Sequence, residues 1–325
     1  MGTSDAPLPS TTSLPSTTPL PPPAQPPSTT PLPPAAPGVR PGAHAGPVVP
    51  RMVLGLRLRR LREARGISQE EAGAVIRASH SKICRLELGR TGCKARDITD
   101  LLTLYGVRDD ATRATVLDLA AQANRPGWWH AYSDLLPDPA QAYLGIEQSA
   151  ALIRCWTSQT VPALLQTPDY ARAVARATHR DADEHELSRR VEFQHRRSRV
   201  LEGPGATRLW AVIDEAALRR PVGGAETMRG QLRRLAEAAA LPGVTVQILP
   251  FAVGCHAGIG GPVTLVRLPG GLLPDVAFLE QPLMGGQLDR RADVEHYWDV
   301  VNHLALEAAP PEETDAIVRA VLAGT

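Results

Sequence analysis

From Val53 to about Ala123 the apolar positions recur at spacings of three and four, a pattern that predicts five short helices. "LGLRLRRLREARG" puts Leu54, Leu58 and Leu61 on one face, leaves arginines on the others and stops at Gly66. "SQEEAGAVIR" opens on Ser68 with Glu71 three residues on, the spacing of a capping box, and its buried side is expected from Val75 and Ile76. "SHSKICRLELGR" begins at a second candidate cap, Ser79, and turns Ile83 and Leu86 toward a core. "DITDLLTLYGV" carries Ile98, Leu101, Leu102 and Tyr105 at helical spacing, and a fifth helix is expected from about Asp109 to Ala123.

The pattern then breaks at "RPGWWHAYSDLLPDP", where Pro126, Gly127, Pro137 and Pro139 suggest a linker over 126–141. Beyond it, helical stretches are predicted near 142–157, 168–178 and 184–201. Four β-like runs follow at 208–214, 244–249, 263–268 and 275–280, with a helix, "AETMRGQLRRLAEAAA", between the first two and two more near 288–307 and 312–323. That order predicts an α+β domain with one small sheet. The expected fold is therefore multidomain: a disordered tail over 1–50, an all-α five-helix module over 51–125, and the α+β domain over 142–325. The tail is expected because residues 1–50 hold 16 of the 31 prolines among Ser, Thr and Ala, with too few large apolar side chains to offset the entropy of ordering.

Charge changes this picture. The formal net charge of +1 conceals two opposite halves: residues 51–96 carry 12 Arg or Lys against 4 Asp or Glu, and residues 97–325 carry 22 against 29. A basic module joined to an acidic body suggests nucleic-acid contact coupled to a separate second function. The four cysteines, Cys84, Cys93, Cys155 and Cys255, form no CxxC pair, and no apolar run is long enough for a membrane span, so a cytoplasmic protein is expected.

The candidate chemistry lies in the second and third helices, separated only by Arg77 and Ala78. Such a junction forces a steep crossing, the helix-turn-helix arrangement. Opposite Ile83 and Leu86 the third helix presents Ser81, Arg85 and Leu88. Arg85 can bond guanine O6 and N7 in parallel, and Ser81 is short enough to let the helix approach base edges. His80 and Lys82 suit phosphates or bases, Gln69 can anchor a phosphate at the start of the second helix, and Arg57, Arg60 and Arg90 add charge that steers without reading sequence. The expected partner is double-stranded DNA.

"GISQEEAGAVIRASHSKICRLELGR", with "DITDLLTLYGV" behind it, resembles the Cro/cI-type, or XRE-type, helix-turn-helix domain of bacterial transcriptional regulators. "YLGIEQSAALIRCWTSQTVPALLQTPDYARA", "VIDEAALRRPVGG", "MRGQLRRLAE" and "VTVQILPF" are similar to the domain of unknown function that follows such a module in regulators of high-GC Gram-positive bacteria. The resemblance implies an antitoxin-like regulator with a C-terminal effector domain and a small partner protein encoded nearby. It places the DNA contacts at Gln69 and from Ser79 to Arg85. Two positions depart from the family pattern. Arg77 stands where glycine is common, and a left-handed backbone there costs about 1 kcal/mol. Gly73 stands where alanine is more frequent, at a similar cost within a helix.

The C-terminal part supplies no set of nucleophile, base and metal ligands. "GCHAGIGG" (254–261) reads as a flexible hairpin, Asp214 and Glu215 as caps of the following helix, and Trp128 and Trp129 as packing at the domain boundary. No catalytic residue, cofactor or metal is expected. The expectation is a sequence-specific, homodimeric transcriptional regulator. Its rivals are an interaction protein that neutralises a small partner, and an enzyme addressed to DNA by the helix-turn-helix.

Overall fold

The computed structural model describes residues 46–279 and 286–324, and within these the side chains of Gly286 and Gln287 are not described. The expected tail lies outside the described residues up to position 45.

Five helices build the first domain: α1 (Val48–Glu63), α2 (Gln69–Val75), α3 (His80–Glu87), α4 (Ala95–Leu104) and α5 (Asp110–Ala123). Their apolar stripes meet in one core that includes Leu54, Leu58, Ala72, Ile76, Ile83, Leu86, Ile98, Leu102, Tyr105 and Val116. Val75 is exposed, contrary to the sequence pattern. At 100° per residue Ala72 and Ile76 share the inward face of α2, and Val75 falls on its flank. The helix also starts earlier than expected at the other end of the chain: α1 begins at Val48, within the assigned tail, and Pro50 sits in its first turn, where no N–H is required.

The segment between the domains is not a structureless linker. Trp128–Tyr132 forms a 3₁₀ turn that buries Trp129 and Tyr132, and α6 (Asp138–Glu147) starts directly after Pro137 with Pro139 in its first turn. Prolines that suggested a break instead begin a helix.

The second domain adds α7 (Pro168–Thr178), α8 (Glu184–Ser198), α9 (Glu215–Arg219), α10 (Ala225–Ala239), α11 (Arg291–Glu307) and α12 (Thr314–Ala323). Its strands are β1 (Leu152–Thr157), β2 (Arg208–Asp214), β3 (Val244–Leu249), β4 (Val263–Arg267), β5 (Val276–Leu279) and β6 (Gly286–Leu288). They form one mixed sheet in the order β3-β2-β1-β4-β5-β6. β1, β2 and β3 are parallel, while β4, β5 and β6 add antiparallel on the other side of β1. The α+β architecture is as expected, with two strands more than the four anticipated. β1 replaces the second half of the helix expected over 142–157. "LIRCWT" lies in the middle of the sheet with both faces covered, so its side chains show no period that separates a strand from a buried helix.

One face of the sheet packs Ile153, Cys155, Leu209, Ala211 and Ile213 against α7, α9, α10 and α12, through Tyr170, Leu218, Leu232 and Val318. The other face carries Trp156, Val212 and Leu265 and is covered by α11 through Val294, Val301 and Leu304. Val48, Val49 and Met52 of α1 also pack against the first of these cores, so α1 belongs to both domains.

The stretch 254–261 is not a hairpin. β3 and β4 are separated by β2 and β1, and the connection between them is pinned where Trp156 Nε1 donates to the Gly258 carbonyl (3.1 Å). A Cβ on Gly258 would lie 2.5 Å from that indole, which explains the glycine.

Candidate nucleic-acid interface

The helix-turn-helix is built from its junction outward. Ser68 Oγ accepts from the Glu71 N–H (3.1 Å), and Glu71 Oε2 accepts from the Ser68 N–H (2.7 Å), the expected capping box. The bond from the Ser68 N–H, with a smaller effect of the Ser68 hydroxyl, holds the Glu71 carboxyl below its ordinary range. Ser79 takes the extended N-cap conformation of α3, but its side chain makes no capping bond. The first turn of α3 is therefore left without a side-chain acceptor, the state in which a helix start receives a phosphate.

Between the two helices Arg77 adopts φ +53°, the single left-handed non-glycine backbone among the described residues. Gly73 answers a different need: a Cβ there would lie 2.5 Å from the Ala78 carbonyl oxygen, so the chain can double back only over a glycine. The two positions respond in opposite directions. Arg77→Gly is expected to stabilise the protein by about 1 kcal/mol by relieving the left-handed arginine. Gly73→Ala is expected to cost about 1–3 kcal/mol, because the obstacle is backbone and cannot step aside. Urea unfolding of both variants checks this, and a loss of stability in Arg77→Gly would contradict the account of the turn.

α1 is held against α3 by a pair that the sequence pattern did not reveal. Arg62 of α1 and Glu87 of α3 form a bidentate ion pair, Nε to Oε1 at 2.6 Å and Nη2 to Oε2 at 2.9 Å, at 8% and 7% exposure. Arg62 Nη1 also donates to the Ile67 carbonyl (2.8 Å). The bond to Glu87 raises the Arg62 pKa against the opposing effect of burial. Nearby, burial first and the Glu87 charge second push the Tyr105 hydroxyl up to about 12. Gly55 lets α1 and α3 close over this pair: a Cβ there would lie 2.4 Å from the Glu87 carbonyl oxygen and 2.6 Å from that of Leu86.

The predicted contact residues then separate by environment. His80, Ser81 and Arg85 are exposed, with Ser81, Arg85 and Leu88 along one outward stripe of α3. Among the described residues Arg85 has no ion-pair partner. Lys82 is tied to Asp97 (3.0 Å), and Gln69 donates to Glu87 Oε2 (2.9 Å), so both would exchange a protein partner to reach DNA. Arg57 is half-buried and Arg60 exposed, both on α1. Arg90 lies beyond the end of α3, where with Leu88 and Arg59 it lines a cleft of about 1090 Å³ between α1 and the second domain.

Two families match the chain, on either side of this cleft. Residues 53–116 match a helix-turn-helix domain, and residues 140–320 match a domain of unknown function, DUF5753. The chain belongs to the DUF5753 family. No curated protein and no solved structure matches it. The helix-turn-helix match, together with the exposed Ser81–Arg85 stripe, points to a DNA-binding regulator. Within the DUF5753 domain Asp214 accepts from the Ala216 N–H (2.8 Å) and caps α9 as expected. Glu215 does not cap that helix: it accepts from the distant Phe251 N–H (3.0 Å) and from Arg219 Nε (2.6 Å). His256 Nδ1 accepts from the Gly258 N–H (3.1 Å), and its Nε2 faces Asp214 Oδ2 at 3.8 Å. No helix among the described residues is long and apolar enough to cross a membrane.

Proposed function

We propose that this DUF5753 protein is a sequence-specific transcriptional regulator of the Cro/cI type that acts in the cytoplasm. In this reading it binds a two-fold related DNA site as a homodimer, and its second domain takes a ligand or a small protein partner, as in an antitoxin-like system. It acts by binding and not by catalysis. The observation that carries the reading is the outward stripe of α3: an arginine with no ion-pair partner among the described residues and a small hydroxyl, one turn apart, on a helix whose N-cap residue makes no side-chain capping bond. The commitment of Asp214 to a helix cap, and of Glu215 to the Phe251 N–H and Arg219, supports the non-catalytic part.

The test is binding of the full chain to its own upstream DNA and to random DNA of equal length, at two salt concentrations. A preference of about a hundredfold or more that survives the higher salt is expected. Weak binding to both, lost as salt rises, would leave only non-specific electrostatics and would favour the partner-neutralising reading. Co-purification with the product of a neighbouring gene would then identify the partner.

A further inference from the structure

On the α11 side of the sheet, Arg154 of β1 is 7% exposed, and no carboxylate pairs with it among the described residues. Its guanidinium lies over Trp210 of β2, 4.1 Å from the ring centroid, and 5.5 Å from that of Trp298 on α11. Its Nη1 donates to Asn302 Oδ1, while its buried Nε has no acceptor among the described residues. Neither has the Trp298 Nε1, which is also buried. Burial lowers the Arg154 pKa, and the charge of a second cation, Arg267, lowers it further. Arg267 stacks on the Trp298 ring at 4.7 Å and is already neutralised by Asp275 at 2.8 Å.

A buried guanidinium is ordinarily compensated by a carboxylate, and buried N–H donors by an acceptor. The aromatic rings of Trp210 and Trp298 offset part of the burial cost, but they act on the π-face of the planar group and leave Nε on its edge unsatisfied. That edge, with Nε in the plane, is the one that receives a carboxylate side-on through two parallel bonds. Two orphaned donors in a single stack, with no described acid beside them, mark a place for an anion supplied from outside. Trp298 is only half-buried and Asn302 is exposed, so the route to the site runs past side chains of one helix.

We infer that Arg154, Trp298 and Asn302 form a binding site for a carboxylate, carried by a small acid or by an acidic side chain of a partner. This places the ligand side of the proposed regulator on the second domain. Its test reads anion binding without DNA, so it stands or falls separately from DNA recognition.

Thermal unfolding of the full chain is followed while acetate is titrated, with acetamide as the neutral isostere and chloride holding ionic strength constant. Acetate is expected to raise Tm saturably and acetamide to leave it unchanged. Arg154→Gln should abolish the acetate response, and Arg154→Lys, which keeps the charge but loses the fork, should weaken the apparent affinity about tenfold. Trp298→Phe should weaken it as well while keeping the ring. A hexaglutamate peptide distinguishes the sources. Saturation at a much lower carboxylate concentration than acetate assigns the site to a partner's side chain, and saturation at the same concentration assigns it to a small acid. Equal acetate responses in the wild type and in either Arg154 variant, or no response in the wild type, would overturn the inference.

Discussion

Glu87→Ala is expected to destabilise the protein by about 3–5 kcal/mol, among the largest effects of any single change in the first domain. The substitution leaves the Arg62 guanidinium, 8% exposed, with the Ile67 carbonyl as its remaining described hydrogen-bond acceptor and, as its remaining acid, Glu63 at 3.8 Å, too far to bond and itself half-exposed. It also releases Gln69, which now donates to Glu87. The cost comes from stranding a charge and not from the pair's own net worth, so the double variant Arg62→Met with Glu87→Leu should recover most of it. Urea unfolding of the two single variants and the double variant gives the coupling directly. If Glu87→Ala and the double variant lose the same stability, the pair does not hold α1 against α3.

Arg85→Ala carries the largest expected effect on recognition. Loss of a bidentate base contact should remove about 1–3 kcal/mol of discrimination at one position of the DNA site, while affinity for random DNA changes little. Arg57→Ala should behave differently. Arg57 sits on α1, and its charge should act on phosphates, so its removal weakens binding to all sequences alike and lowers the salt slope by about one unit. Competition binding with single-base variants of the site, at three salt concentrations, separates the two. Equal losses on specific and random DNA in both variants would mean that the stripe on α3 does not read bases.

Much of this was legible in the sequence because the helices of the first domain are amphipathic and its turns obey strong local rules. The Ser68–Glu71 box, the glycine stops and the left-handed turn at Arg77 are short-range signals, and the structure carries each of them. The Arg62–Glu87 pair was missed although its signal was present: Arg62 follows Leu54 and Leu58 at intervals of four, and Glu87 follows Ile83 by four. Each charge thus continues a buried stripe, and two opposite charges doing so on adjacent helices predict a pair. β1 was not legible, because a strand covered on both faces has no alternation to read. The Arg154 stack was invisible for a different reason, since its members come from β1, β2, β4 and α11 and meet only in the folded sheet.

The dual membership of α1 has a mechanical consequence. Its first turns, with Val48, Val49 and Met52, are seated in the core of the DUF5753 domain, while its middle, with Leu54, Gly55 and Leu58, is clamped to the reading head at the α3 crossing. The two domains are thus not beads on a string but two bodies bolted to one axle. A tilt of a few degrees at the seated end displaces the far end of a 16-residue rod by more than an ångström, enough to misalign a side chain with a base edge. Repacking beneath Val48 and Met52 would therefore tilt the helix-turn-helix through α1, and a fragment trimmed at residue 53, where the helix-turn-helix match begins, would lose the turns that carry that coupling.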